Sequence, residues 1–392
     1  MRQTGFLTAI AIAIAITLPA GFASSGPESV PAAGYEKQLP PADAPEVRNI
    51  ILMIADGVGV GAWTAAEYAN DRLAVKRMPV VGLIDTRSAI HKVSDSASGA
   101  SVYATGIRTV NRTISVGPAS ACPFPKVWTP QTWPEGCEPL ETWFEVARDK
   151  GRATGIVTTT FVTDATPAAF VGHSPSRYWR DALAVEIAGF GLDVLFGGGA
   201  EDFDAVIRSD GRDLFGEMCE RARCLTTAEE LDDYRPDGEA IAGLFASGDM
   251  DDLDVRPVTL PAMVGAALKK LARHPDGFVA MFETEATDNA THANAPLERL
   301  TADLLEFDEA VGIALEFASR TPGTLLIVTS DHETGGLALV ETGNDFELTY
   351  ATHNHTAAMV PLFGFGPQSE RFAGLRENYE IGQIFQDIVK SW

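Results

Sequence analysis

Positive charge is scarce in this chain of 392 residues: 30 lysines and arginines stand against 54 aspartates and glutamates, a formal net charge of −24 with histidine neutral. That balance argues against a protein that wraps nucleic acid through a basic face, so no nucleic-acid partner is expected. It is silent on catalysis, because cations and one arginine gathered in a cleft can reverse the local field. Cysteine is scarcer still, with four residues. Cys122 and Cys137 are close in sequence, as are Cys219 and Cys224, but neither pair has a C-x-x-C partner, which argues against a structural zinc. Three connectivities are open; the expectation is Cys122–Cys137 and Cys219–Cys224, each closing a short surface loop in an oxidising compartment. Long apolar runs are missing after the opening residues, so no later segment reads as a bilayer span.

The opening residues differ. Arg2, an apolar run from Phe6 to Leu18 and small residues around Ala23 have the layout of a signal peptide over 1–23. The run is short for a bilayer span, and no lipid-attachment cysteine follows it. The expectation is a periplasmic or secreted protein with no membrane anchor after cleavage. Residues 24–47, rich in Pro, Ala, Ser and Gly, read as a linker.

What the chain does have is material for a core: 45% hydrophobic and 8% aromatic residues, with 21% charged, place it among ordinary globular proteins. The run Asn49-Ile-Ile-Leu-Met-Ile-Ala-Asp56 is continuously apolar and ends in a carboxylate, as in parallel strands buried on both faces. Similar runs recur at 80–86, 154–160, 193–198, 277–283, 324–331 and 360–366, with helical patterns at 140–150, 259–273 and 299–319 between them. Strands alternating with helices predict an α/β domain over 48–392, its central, mostly parallel sheet flanked by helices on both faces. Residues 200–256 are acidic, carry two cysteines and lack strong apolar runs; they read as a small surface insertion. No repeat or low-complexity tract is evident.

Functional residues in such sheets gather beyond the carboxyl ends of the strands, where Asp56, Glu283 and Asp331 fall. The run Gly57-Val-Gly59-Val-Gly61-Ala62, with Asp85 closing a later strand, mimics a dinucleotide fingerprint, but Asp56 directly before the first glycine would face a pyrophosphate. Further on stands Asp95-Ser96-Ala97-Ser-Gly99. Ser96 reads as an N-cap starting a helix at 97–105, a position whose field also favours anions. Thr163-Asp164-Ala-Thr166-Pro precedes His173 and Arg177, and an arginine fork can hold two phosphate oxygens at once. Glu283-x4-Asp288-x3-His292, Asp331-His332-Glu333 and His353-Asn-His355-Thr356 supply carboxylates and imidazoles suited to zinc and, for all-oxygen sets, magnesium. Four of the seven histidines (His292, His332, His353 and His355) lie in these few segments.

Taken in order from about Arg48 to the C-terminus, these six motifs resemble those of the alkaline phosphatase family. The resemblance implies Ser96 as nucleophile and Arg177 as phosphate clamp. It implies one zinc on Asp288, His292 and His355, a second zinc on Asp56, Asp331 and His332, and a magnesium on Asp56, Thr166 and Glu283. His353 is the alternative to His355. Asp164 matches the acidic version of a position that supports the site. Asn289 stands where better-known members carry lysine, histidine or tryptophan, which bears on phosphate contact and on the third metal. The implied activity is hydrolysis of small phosphate monoesters through a phosphoserine, with an alkaline optimum. The physiological ester and the oligomeric state, a homodimer among the options, stay open. A phosphodiesterase on the same metal core and a non-catalytic exported metal or phosphate binder are the competing readings. A sulfatase is disfavoured because Ser96 is followed by Ala97, Ser98, Gly99 and Ala100 and not by a C/S-x-P-x-R turn.

Overall fold

The strand Asn49–Ala55 (β1) shows how the sequence builds the molecule. Its residues alternate between two apolar clusters: Ile50, Leu52 and Ile54 belong to one, Ile51, Met53 and Ala55 to the other. Successive side chains of a strand point to opposite faces, so a strand covered on both faces must be apolar throughout. A computed structural model describes residues 46–117, 137–250 and 252–392, all of one compact unit. The signal peptide expected over 1–23 and all but the last two residues of the linker lie outside the described residues.

Nine further strands complete one sheet: Val80–Asp85 (β2), Ala153–Phe161 (β3), Val194–Gly198 (β4), Ala222–Leu225 (β5), Ala240–Leu244 (β6), Phe278–Thr284 (β7), Thr324–Thr329 (β8), Val360–Phe365 (β9) and Gly374–Glu377 (β10). Their order across the sheet is β10-β2-β9-β8-β1-β7-β3-β4-β6-β5. All neighbours are parallel except β9, which runs antiparallel to both β8 and β2. One apolar cluster takes in the helices 96–105, 143–149, 165–171, 180–190 and 378–391, the other the helices 60–69, 260–271 and 297–320. In the first cluster Trp143 lies at 4.6, 5.8 and 5.0 Å, ring centre to ring centre, from Phe144, Phe170 and Phe385. Its indole N–H donates to the Tyr103 carbonyl at 3.0 Å, so the buried polar tip is satisfied.

The register of β1 sets the site. Ile54 lies opposite Glu283 of β7 on one side and Thr329 of β8 on the other, so Glu283, Asp56 and Asp331 emerge together at one end of the sheet. The segment 200–256 does more than cover the surface. It supplies β5 and β6, which extend the sheet at one edge, with the short helices Leu214–Cys219 and Ala228–Asp232. Cys219 and Cys224 are disulfide-bonded with Cα atoms 5.4 Å apart, tying that first helix to β5. Cys137 is disulfide-bonded, whereas Cys122 lies outside the described residues. No helix among the described residues is long and apolar enough to cross a membrane.

Candidate active site

Ser96 opens the helix Ser96–Thr105, but it is not the N-cap that its sequence context suggests. Asp95 takes that role: its Oδ1 accepts from the Ser98 N–H at 3.0 Å, and Ser98 Oγ in turn faces the Asp95 N–H at 3.3 Å. A carboxylate satisfies an orphan helical N–H better placed than a hydroxyl one residue later. The swap leaves the Ser96 hydroxyl free of capping, at the positive end of the helix dipole. Ser96 is 5% exposed, and its Oγ lies 3.2 Å from His332 Nε2.

Around the same nitrogen stand two carboxylates, Asp56 Oδ1 at 3.4 Å and Asp331 Oδ2 at 3.3 Å, both residues fully buried. Asp331 Oδ1 is occupied by the N–H groups of His332 (3.0 Å) and Gly57 (3.4 Å). Asp56 Oδ1 and Asp331 Oδ2 accept no hydrogen bond. A second group forms alongside, where Asp288 and His355 join His332. The His355 ring stacks on that of His332 with centres 3.6 Å apart. His292 Nε2 reaches both, 3.1 Å from His355 Nε2 and 3.2 Å from Asp288 Oδ2.

The hydrogen-bond network assigns the tautomers. His355 Nδ1 donates to the Ser94 carbonyl at 2.9 Å, and His292 Nδ1 donates to the His353 carbonyl at 2.6 Å. Thr334 Oγ1 donates to Asp288 Oδ1 at 2.5 Å, so towards His332 Nδ1, 3.3 Å away, it can only accept. The outer nitrogen of each ring carries a proton, and three Nε2 atoms converge on the carboxylates of Asp56, Asp288 and Asp331; the hydrogen bond to Asp288 pushes His292 up to about 9, so its Nε2 must give up a proton in order to ligate. Nitrogens and carboxylate oxygens gathered at 3.1–3.4 Å are a set that a shared positive charge, a proton on His292 or a bound cation, would hold together. Mixed imidazole and carboxylate donors with the outer nitrogen anchored are a zinc-type set. Burial, with His355 next, holds His332 well below its ordinary pKa, so the ring is neutral and able to ligate.

Glu283 is also fully buried; Thr158 Oγ1 donates to its Oε2 at 2.6 Å, and Oε1 has no hydrogen-bond partner. Thr166 Oγ1 lies 3.5 Å from Asp56 Oδ2, so Asp56, Thr166 and Glu283 form an all-oxygen corner of the kind that suits magnesium. Burial, then the crowding of Asp331, Asp288 and Glu283, pushes Asp56 well above the usual carboxylate range; burial chiefly does the same to Glu283. Asp331 rises to about 7 through burial and Asp288. Carboxylates in this condition lack a countercharge, which is what a bound cation provides.

Arg177 is anchored rather than loose. Its Nη2 donates to Asp164 Oδ1 and Oδ2 at 3.0 and 3.2 Å, and its Nη1 stands 3.7 Å from Asp95 Oδ2. Burial opposes its charge, but Asp164 and Asp95 outweigh that and hold its pKa above the ordinary value. Asp95 thus touches both the helix that starts at Ser96 and the guanidinium. His353 turns its ring to the His292 carbonyl at 2.9 Å, while His355 faces the cluster. Asn289 is exposed on the short helix that carries Asp288. The glycines of the dinucleotide-like run serve close packing: a Cβ on Gly57 would meet Asp288 Oδ1 at 2.4 Å, and one on Gly59 would meet Glu333 Cγ at 2.3 Å.

A family model described as Alkaline phosphatase matches residues 47–346. The chain belongs to the alkaline phosphatase family. It is 27% identical to alkaline phosphatase 3 of Bacillus subtilis over 94% of this chain and 95% of that one. Among solved structures, the alkaline phosphatase of the Antarctic bacterium TAB5 superimposes with a TM-score of 0.76 at 29% identity, covering 88% of this chain and 99% of the other. A variant of that enzyme, with a TM-score of 0.75, 28% identity and the same coverage, has been solved with Mg bound in its M3 site. The protein is therefore a phosphatase acting on phosphate monoesters, and its helix-flanked, mostly parallel sheet is the alkaline phosphatase fold.

Two supporting residues, Thr334 and Thr158, escaped the sequence motifs, and Asp95, which stands in the motif with Ser96, gains no role of its own from that motif. Threonines carry no spacing signal. The one available hint was that Asp95 directly precedes Ser96.

Proposed function

We propose that Ser96 is the nucleophile of a phosphomonoesterase that works through a phosphoserine, with two zinc ions and one magnesium held around it. Zinc would lie on Asp56, Asp331 and His332 and on Asp288, His292 and His355; magnesium would lie on Asp56, Thr166 and Glu283. When bound, these cations would neutralise phosphate charge and lower the pKa of the attacking oxygens. The observation that carries the reading is the Ser96 hydroxyl 3.2 Å from His332 Nε2, at the point where two buried aspartates converge on that nitrogen.

The protein residues then have these roles. Ser96 Oγ attacks phosphorus in line with the ester oxygen; the Oγ–P bond forms as the P–O bond to the alcohol breaks. Water then attacks phosphorus in a second in-line displacement: its O–P bond forms as the Oγ–P bond breaks, one of its protons restores the Ser96 hydroxyl, and inorganic phosphate leaves. Arg177 presents its fork to two non-bridging oxygens, and Asp164 holds it in place so that little order is lost on binding. The helix N-terminus adds a fixed positive field. Export is part of the proposal, with the Cys219–Cys224 bond in keeping with an oxidising compartment.

The test is Ser96→Ala with p-nitrophenyl phosphate. Turnover should fall by about 10³-fold or more while bound zinc and magnesium, measured by elemental analysis, stay unchanged. Acid quenching of the unsubstituted enzyme should trap phosphate on Ser96. An unchanged rate in the variant would remove Ser96 from the mechanism. A bis-p-nitrophenyl phosphate comparison should favour the monoester; the opposite preference would favour the diesterase reading.

A further inference from the structure

His173 lies four residues before Arg177 and touches none of the metal-type residues, yet it is built into its surroundings from both sides. The side chain is 11% exposed. Its Nδ1 is 3.4 Å from Glu186 Oε2, on the helix Arg180–Phe190. Its Nε2 is 3.2 Å from the Leu140 carbonyl and 3.6 Å from Glu145 Oε2, on the helix Trp143–Asp149. Its backbone N–H donates to the same Glu186 oxygen at 2.8 Å. A neutral imidazole has one donor and one acceptor, whereas here both nitrogens face only acceptors. The geometry therefore calls for the doubly protonated ring.

That cation sits at the root of the segment that ends in Arg177. Ser174 pairs with Ile114 through two backbone hydrogen bonds of 2.7 and 2.8 Å, and the Arg177 N–H donates to the Arg112 carbonyl at 2.8 Å. Upstream, the helix Ala165–Val171 carries Thr166. With His173 charged, two helices are drawn onto the turn 172–177; with it neutral, one of the two carboxylate contacts loses its donor and the turn loosens.

We propose that His173, as an imidazolium held between Glu145 and Glu186, is a positioning residue for Arg177, and that its loss of a proton weakens phosphate binding in the alkaline range where the enzyme is expected to work. The proposal rests on Arg177 being the phosphate clamp. The groups that face the ring are Glu145, Glu186 and the Leu140 carbonyl, and the Arg148 charge acts on Glu145. Burial lowers the basicity of the ring, but Glu145 and Glu186 prevail and push its pKa up to about 9. The sign follows: a pKa raised in the folded state gives support that is complete below the unfolded value and is lost as pH rises through about 9.

The experiment measures kcat, KM for p-nitrophenyl phosphate and inhibition by inorganic phosphate, from neutral pH to about pH 10.5, where lysine is still half charged. The unsubstituted holoenzyme should lose phosphate affinity through a single step near pH 9. His173→Gln should raise KM and the phosphate inhibition constant about tenfold at neutral pH, with kcat within about twofold, and should lack that step. His173→Lys should restore affinity at neutral pH, and Glu186→Gln should move the step to lower pH. The proposal is overturned if His173→Gln keeps the original affinity and pH step, if the Gln and Lys variants fall alike, or if the step does not move in Glu186→Gln. Arg177→Ala run in parallel separates the two readings: phosphate affinity unchanged there refutes the clamp assignment, whereas affinity lost there but intact in His173→Gln refutes the role of His173 alone.

Discussion

Replacing Gly57 by alanine tests how tightly the site is built. Gly57 follows Asp56 with φ +73°, a left-handed conformation. For a residue with a side chain that conformation costs about 1–2 kcal/mol. An added Cβ would also lie 2.4 Å from Asp288 Oδ1 and 2.9 Å from Asp288 Cα. Asp288 cannot easily yield, because Thr334 holds its carboxylate and its N–H donates to the Glu285 carbonyl at 2.9 Å. Overpacking of this kind costs about 1–3 kcal/mol more, for a total loss of about 2–5 kcal/mol. Domains are stable by about 5–15 kcal/mol, so Gly57→Ala should still fold. Its turnover should drop about a hundredfold, since a shift of about 1 Å in Asp288 is enough for that, and its zinc content should fall. Gly211 is the control: φ is +69° and nothing lies within 4 Å of its added Cβ, so Gly211→Ala should lose about 1–2 kcal/mol and no turnover. Guanidinium unfolding, elemental analysis and steady-state rates read out both variants. Equal stability losses with full turnover in both would refute the clash with Asp288.

Thr334→Val keeps the shape of Thr334 but removes the hydroxyl shared by Asp288 and His332; zinc affinity should weaken about 10–100-fold in a competition titration with a chelator, and an unaltered affinity would show that the hydroxyl supports neither ligand. Cys219→Ser with Cys224→Ser opens a short loop at the sheet edge; stability should fall by about 2 kcal/mol while kcat/KM stays within about twofold, and a large loss of activity would tie that edge to the site.

The sheet was readable wherever strands are apolar throughout, as in 49–55 and 324–329, because burial on both faces leaves no polar positions. Direction was not readable: the run in β9 looks like its parallel neighbours, yet it runs the other way, since an apolar pattern has no polarity. The edge strand Ala222–Leu225 escaped notice because only Leu225 is fully buried, so its sequence resembles a loop. In the site, the ordered motifs and the family they resemble named the carboxylates and imidazoles, and Asp288, His332 and His355, like Asp56, Asp331 and His332, lie close together. The motifs were insufficient for the helix start, where Asp95 and Ser96 are both good capping residues and only the Ser98 N–H contact decides between them.

All ten residues of the helix Ser96–Thr105 are buried, and the Tyr103 hydroxyl is bonded to the Ser330 carbonyl beneath the cluster. The hydroxyl at its tip therefore cannot be re-aimed without disturbing the interior. New ester preferences would have to arise instead from exposed neighbours such as Asn289, His353 and Tyr178. Evolution in this enzyme would thus be free to redesign the doorway while inheriting the reaction chamber unchanged.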